Sequence, residues 1–163
     1  MRLFRSRKKW SAVLAGVGVI ATFATVALAS HDPFNFTTTP LGTGDLFNDV
    51  KVNSDRVKFQ TKDPTDVRVA RIDIAAGGRS GWHHHPGIVI VTVASGSVTF
   101  MHSDCSSKTY GPGLPDGAVF VEGGDEPAQA SSTTGATNYV TFVAPHANPR
   151  VFRIDDHEFP GCP

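Results

Sequence analysis

The sequence predicts a single all-β domain, a sandwich or barrel of six or seven short strands. Three observations predict it. Runs of β-branched and aromatic residues recur along the chain, turn formers divide them at short intervals, and no segment sustains a helical period. Neither an internal repeat nor a linker divides the chain, which suits one core of ordinary size.

In chain order, residues 1–29 form a separate piece. Arg2, Arg5, Arg7, Lys8 and Lys9 precede an uncharged stretch that closes on Ala27-Leu28-Ala29. A basic head, an apolar middle diluted by Gly16, Gly18, Thr22 and Thr25, and small residues at the end are the layout of a secretory signal peptide. The competing reading is an uncleaved anchor, because the uncharged stretch approaches the ~20 residues that span a bilayer. Either way the basic cluster stays on the cytoplasmic side and the remainder lies outside, secreted or otherwise extracytoplasmic. A membrane contact is expected only through this segment, if it is retained. No adjacent arginine pair supports a twin-arginine route.

Residues 30–43 carry Pro33 and Pro40 with little period, and are expected to be an irregular lead-in. The β-barrel domain is then expected over 44–163. Within it the strand candidates are 49–60, 66–75, 88–94, 97–102, 118–121, 138–144 and a final short 150–154. Runs 88–93 and 98–102 read as a hairpin turning at Ser95-Gly96. The first arm, Ile88 to Val93, is apolar on both faces and should be central. Turn-rich residues 103–117 should be an exposed loop, and the acidic stretch from Glu122 to Pro127 a second one.

Charge excludes one class of partner. All fifteen acidic residues lie beyond residue 29 but only ten of the fifteen basic ones do, so the exported part is acidic. It lacks the basic footprint that nucleic-acid binding needs. Two cysteines occur, Cys105 and Cys162. In an exported chain an isolated pair reads as a disulfide that pins the tail to the loop after the hairpin, against the alternative of two unrelated thiols.

The chemistry concentrates at Gly81-Trp82-His83-His84-His85-Pro86-Gly87, just ahead of the apolar run. Residues i and i+2 of a strand share a face, so His83 and His85 can converge on one ion while His84 points away. Imidazole suits Zn, Cu, Ni, Fe and Mn to differing degrees. The plain alternative is structural, with the imidazoles capping backbone groups at a barrel mouth. Trp82 reads either as a stacking platform for a sugar or aromatic ligand or, more simply, as packing. Phe100, Phe120 and Phe142 fall mid-strand and read as core. No nucleophile motif and no phosphate-cradling loop occurs.

These residues resemble the cupin superfamily. Its first motif is a glycine, five residues, H-x-H, three or four residues, a glutamate, six residues and a glycine; Gly77, His83, His85 and Gly96 keep that spacing, and Val89 takes the glutamate's place. The second motif, registered on Gly117, puts its histidine at Ala128 and its asparagine at Ser132. More narrowly, Pro64-Thr65-Asp66, Gly81-Trp82-His83, Pro86-Gly87 and Pro160-Gly161-Cys162 are similar to small exported cupin-like proteins. The resemblance implies a jelly-roll β-barrel over roughly 41–163, with the H-x-H strand lining its interior.

The expectation is therefore an exported cupin-like domain that binds a divalent transition metal (Zn, Mn, Fe, Ni or Cu) through His83 and His85, with a small-molecule ligand or substrate in the barrel. The alternative is a non-catalytic module for a sugar or aromatic ligand, or a structural barrel. With two motif ligands missing, His102, Glu126, Gln129 and His146 are the replacement ligands that geometry suggests.

Overall fold

The computed structural model describes residues 32–156 and Cys162. Residues 1–29, expected from the sequence to be a signal peptide, lie outside the described residues. Every element among the described residues is a β-strand: β1 (Phe34–Leu46), β2 (Lys51–Asn53), β3 (Lys58–Gln60), β4 (Thr65–Arg79), β5 (His83–His84), β6 (Ile88–Gly96), β7 (Val98–His102), β8 (Ser107–Tyr110), β9 (Val119–Gly123), β10 (Ala128–Ser132), β11 (Ala136–Pro145) and β12 (Ile154–Asp155). All but β2 and β3 join one antiparallel sheet that curls into a nearly closed barrel.

The sheet has two halves. One runs β1-β4-β11-β6-β9 and the other β8-β7-β10-β5-β12. Strand β4 belongs to both, because residues 65–74 pair with β11 while Gly78 and Arg79 pair with β10. Its alternation fits that place: Asp66, Ala70 and Ile74 are buried, and Val69 and Arg71 between them are exposed.

The expected hairpin of 88–93 with 98–102 does not form. Strand β6 pairs with β11 and β9, whereas β7 pairs with β10 and β8. Gly96 is a corner at which the chain passes from one half of the sheet to the other. Its φ is 73°, and a Cβ there would lie 2.0 Å from the Gly135 carbonyl oxygen, so only glycine fits. Val89, Val91 and Val93 from β6 then face Val98 and Phe100 from β7 across the interior, in one core with Phe120, Val140, Phe142 and Phe152. Central placement of β6 holds, since it lies between β11 and β9.

The irregular lead-in expected over 30–43 is instead most of β1, and the boundary at 44 falls inside that strand. Prolines obscured it. Pro40 marks a register shift between Pro40 and Gly42, and β1 pairs with β4 on one side, where a missing N–H is tolerated. Expected strand 49–60 is a small separate hairpin, β2–β3, turned by Ser54, whose hydroxyl accepts from the Val57 N–H at 3.1 Å. Within the expected loop 103–117, Ser107–Tyr110 is strand β8, paired with β7. Cys105 and Cys162 form a disulfide with Cα atoms 5.5 Å apart.

Candidate metal centre

His83 and His85 both lie inside the barrel, 5% and 4% exposed, with ring centroids 4.8 Å apart. Each ring is held by its Nδ1. His83 Nδ1 lies 2.9 Å from the Gly81 carbonyl oxygen and His85 Nδ1 lies 2.5 Å from that of Phe152. A carbonyl only accepts, so Nδ1 carries the proton in both rings and Nε2 keeps its lone pair. This is how metal-bound histidines are oriented by their outer partners. His85 Nε2 is buried and has no hydrogen-bond partner among the described residues.

The third group is Glu122, which sequence reasoning left in a loop. It belongs to β9, two residues after buried Phe120 and so on the same inward face. Its Oε1 lies 3.8 Å from His85 Nε2. One ligand atom from each of His83, His85 and Glu122 falls within 4.8 Å of the others. Donors around a tetrahedral ion with ~2.1 Å bonds stand about 3.4 Å apart. Small side-chain adjustments would close the set.

Glycines let these strand ends meet. A Cβ on Gly123 would lie 1.9 Å from the Gly87 carbonyl oxygen, and one on Gly87 would lie 2.1 Å from that of Val143. At that approach the Gly124 N–H donates to the Gly87 carbonyl (3.0 Å) and the Asp125 N–H to that of His85 (3.1 Å). Glu122 is thereby latched beside His85.

Burial sets the charge states. It pulls His83 down to about 3, helped by Arg153 and His85 and opposed by the Gly81 carbonyl. His85 is lowered as well, chiefly by burial, with the Phe152 carbonyl opposing. The same burial pushes Glu122 up to about 7 against the pull of Arg153. His85 and Glu122 are therefore not an ion pair despite their proximity, because each is driven toward its neutral form. Two neutral imidazoles and a desolvated carboxyl are a donor set for a divalent transition metal.

The three residues line a cavity of about 130 Å³ inside the barrel, walled mainly by apolar side chains such as Phe36, Ile72, Val91 and Val140. Trp82 is buried and does not line it. His84 faces away and contacts Asp156 at 3.0 Å, which ties β12 to β5.

Of the suggested replacement ligands, none joins the pair. His102 is more than a third exposed and lies 3.3 Å from Glu126. Gln129, on β10, pairs with Met101 of β7. His146 contacts Asp66 at 2.8 Å, in a second group with Asp45. There Arg150 already supplies the cation, reaching Asp45 at 2.5 Å and Asp66 at 3.2 Å. Ala128, where the second motif would carry its histidine, lies directly beside His83 in the ladder and is buried. That position offers a methyl group where the motif has an imidazole.

No family model matches the chain, and no curated protein matches it in sequence. Several solved structures resemble it in shape. A conserved protein of unknown function from Streptococcus pyogenes is 19% identical, with a TM-score of 0.44 over 62% of this chain and 78% of that one. A cupin-like protein from Thermotoga maritima is 14% identical, with a TM-score of 0.45 over 56% and 65%. The salicylate 1,2-dioxygenase of Pseudoaminobacter salicylatoxidans is 16% identical, with a TM-score of 0.40 over 46% of this chain, which spans only 19% of that enzyme. The likeness is one of chain path alone. The fold is a nearly closed antiparallel β-barrel, with His83 and His85 on its inner surface.

Proposed function

We propose that this chain is an exported cupin-like domain that binds a divalent transition metal through His83, His85 and Glu122. One observation carries the reading. His85 Nε2 is a buried lone pair without a partner, aimed toward a buried carboxyl 3.8 Å away, while its ring is fixed from behind by a backbone carbonyl. An unsatisfied buried polar atom costs roughly 1–3 kcal/mol, and a bound cation removes that cost while drawing the proton from Glu122. Two imidazoles and one carboxylate leave coordination positions open toward the cavity. An ion held there supplies Lewis acidity toward an oxygen of a ligand in the cavity. The chain's own part is to fix the imidazole tautomers, exclude water with apolar walls and hold the carboxyl in place.

Export rests on the basic and apolar layout of residues 1–29, and the Cys105–Cys162 disulfide suits an oxidising compartment. The apolar cavity favours a second reading, a small-ligand binding module that works without metal. Calorimetric titration of tag-free protein with Zn, Ni, Cu and Mn separates the two. Binding lost in the double variant His83→Ala/His85→Ala supports the metal centre. Wild type and double variant behaving alike would leave the metal-free module.

A further inference from the structure

Arg68 is a half-buried arginine on the cavity wall. It follows Asp66 and precedes Ala70 on the inward-facing set of β4, opposite Phe142 in the ladder, and it lines the same cavity as His83, His85 and Glu122. Its guanidinium carbon sits 4.1 Å over the Phe152 ring, and its Nε is buried with no hydrogen-bond partner among the described residues. The other cavity arginine is satisfied: Arg153 donates to the Ser80 carbonyl at 2.7 Å and to Asp155 at 2.6 Å. Glu122 is the one carboxyl among the described residues lining the cavity, and it belongs to the metal set.

The unsatisfied atoms converge. Arg68 Nε, Asn138 Oδ1 and His85 Nε2 are the buried side-chain atoms without partners among the described residues, and all three residues line this cavity. Native structures satisfy such groups, so a cluster of them around a single void marks groups kept for a ligand.

We propose that the cavity binds a small organic monocarboxylate, with the Arg68 guanidinium gripping its carboxylate. The planar fork of an arginine matches a carboxylate in two parallel hydrogen bonds. One guanidinium whose buried Nε lacks a hydrogen-bond partner among the described residues, set among mainly apolar walls, suits one carboxylate on an apolar body, where a phosphate would call for further donors. The void is close to the ~150 Å³ that accommodates benzene in an engineered core. The acid's body is accordingly of about six carbons, with Asn138 Oδ1 open to a donor on it. The inference rests on the metal-centre reading only in taking this cavity as the functional site.

The test is calorimetric titration of the full-length protein with benzoate, benzamide and inorganic phosphate, each with and without saturating Zn. Wild type, Arg68→Met and Arg68→Lys are compared. Benzoate should bind wild type at least about tenfold more tightly than benzamide, and phosphate should not compete. Arg68→Met should weaken benzoate by about tenfold or more while keeping its Zn affinity and melting temperature, with Arg68→Lys intermediate. Benzoate binding equally to wild type and Arg68→Met, benzamide binding as well as benzoate, or no benzoate binding at all would overturn the proposal, whatever Zn does. Arg68-dependent benzoate binding in a protein that takes up no Zn would sustain it and remove the metal reading instead. If Arg68→Met does not fold, Arg68→Lys and the benzoate and benzamide comparison on wild type decide.

Discussion

Glu122 stands directly opposite Val89 in the β6–β9 ladder. Val89 is where the cupin first motif that this sequence resembles carries its glutamate, and Glu122 places a carboxyl on the neighbouring strand, on the same side of the sheet. Directly paired residues have Cβ atoms about 5 Å apart. A carboxylate on either strand can therefore approach His85.

That relationship can be tested by exchange. Glu122→Val alone should lose metal binding, and adding Val89→Glu should recover a large part of it, because the carboxyl returns to the inward face one strand away. Val89→Glu alone should destabilise the fold, since it sets two buried carboxyls against each other. A double variant that binds no better than Glu122→Val would show that Glu122 is needed where it stands, and the exchange idea would fail.

The three consecutive histidines should contribute unequally in a recognisable way. His83→Ala or His85→Ala should weaken Zn binding by roughly 100-fold or more, beyond the ~10–100-fold typical of losing an outer-shell partner. His84→Ala should leave it nearly unchanged, because that ring contacts Asp156 outside the cavity. Calorimetry on each variant checks this, and a large loss in His84→Ala would contradict the assignment.

Glu122 should also shape the pH response of the metal-free protein. Its folded pKa of about 7 lies above its ordinary 4.5, so its stabilising contribution is complete below 4.5 and is lost as pH rises through 7. His83 acts the other way. Depressed from 6.5 to about 3, it leaves stability complete above 6.5 and declining as pH falls toward 3. Glu122→Gln removes only the first contribution, so the variant should gain on wild type between pH 4.5 and 8 in thermal melts. A pH-independent difference would contradict the buried carboxyl.

Asp66 is the electrostatic anchor of the opposite cluster. Burial alone would raise its carboxyl, but hydrogen bonding with His146, Asp45, the Ala147 N–H and Arg150 outweighs burial and holds it well below the usual range. Its contribution is thus present above the ordinary value of 3.8 and lost as pH falls below it. Asp66→Ala should cost about 3 kcal/mol by denaturant titration near neutral pH, because it leaves Arg150 and His146 without their buried partner. Zn affinity should be unchanged, which distinguishes this cluster from the metal centre.

Export and the disulfide are checked together. Intact mass of the exported protein should correspond to a chain starting near Ser30, with no free thiol on labelling under denaturing conditions. Cys105→Ser should cost up to about 4 kcal/mol on the loop-entropy estimate for the 57-residue separation. A mass retaining residues 1–29 would favour the anchor instead.

The all-β class, the inward pair His83 and His85 and the central place of β6 could be read from the chain, because each depends on local alternation and spacing. Strand β1 could not, since Pro40 mimics a loop wherever the pairing that tolerates it is unknown. The supposed hairpin at Ser95-Gly96 failed for a related reason. A tight glycine turn and a corner between two sheet halves look alike until the partners of β6 and β7 are known. Glu122 was present in the alternation, two residues after Phe120, yet a glutamate followed by two glycines reads locally as a loop. Only the approach of Gly123 to Gly87 turns it toward His85. Sequence by itself determined which residues carry the chemistry of one strand. Tertiary structure decided that Glu122 stands beside His85 and that Arg68 lines the same cavity, because both depend on which strands lie side by side, a long-range choice made by burial of the whole core.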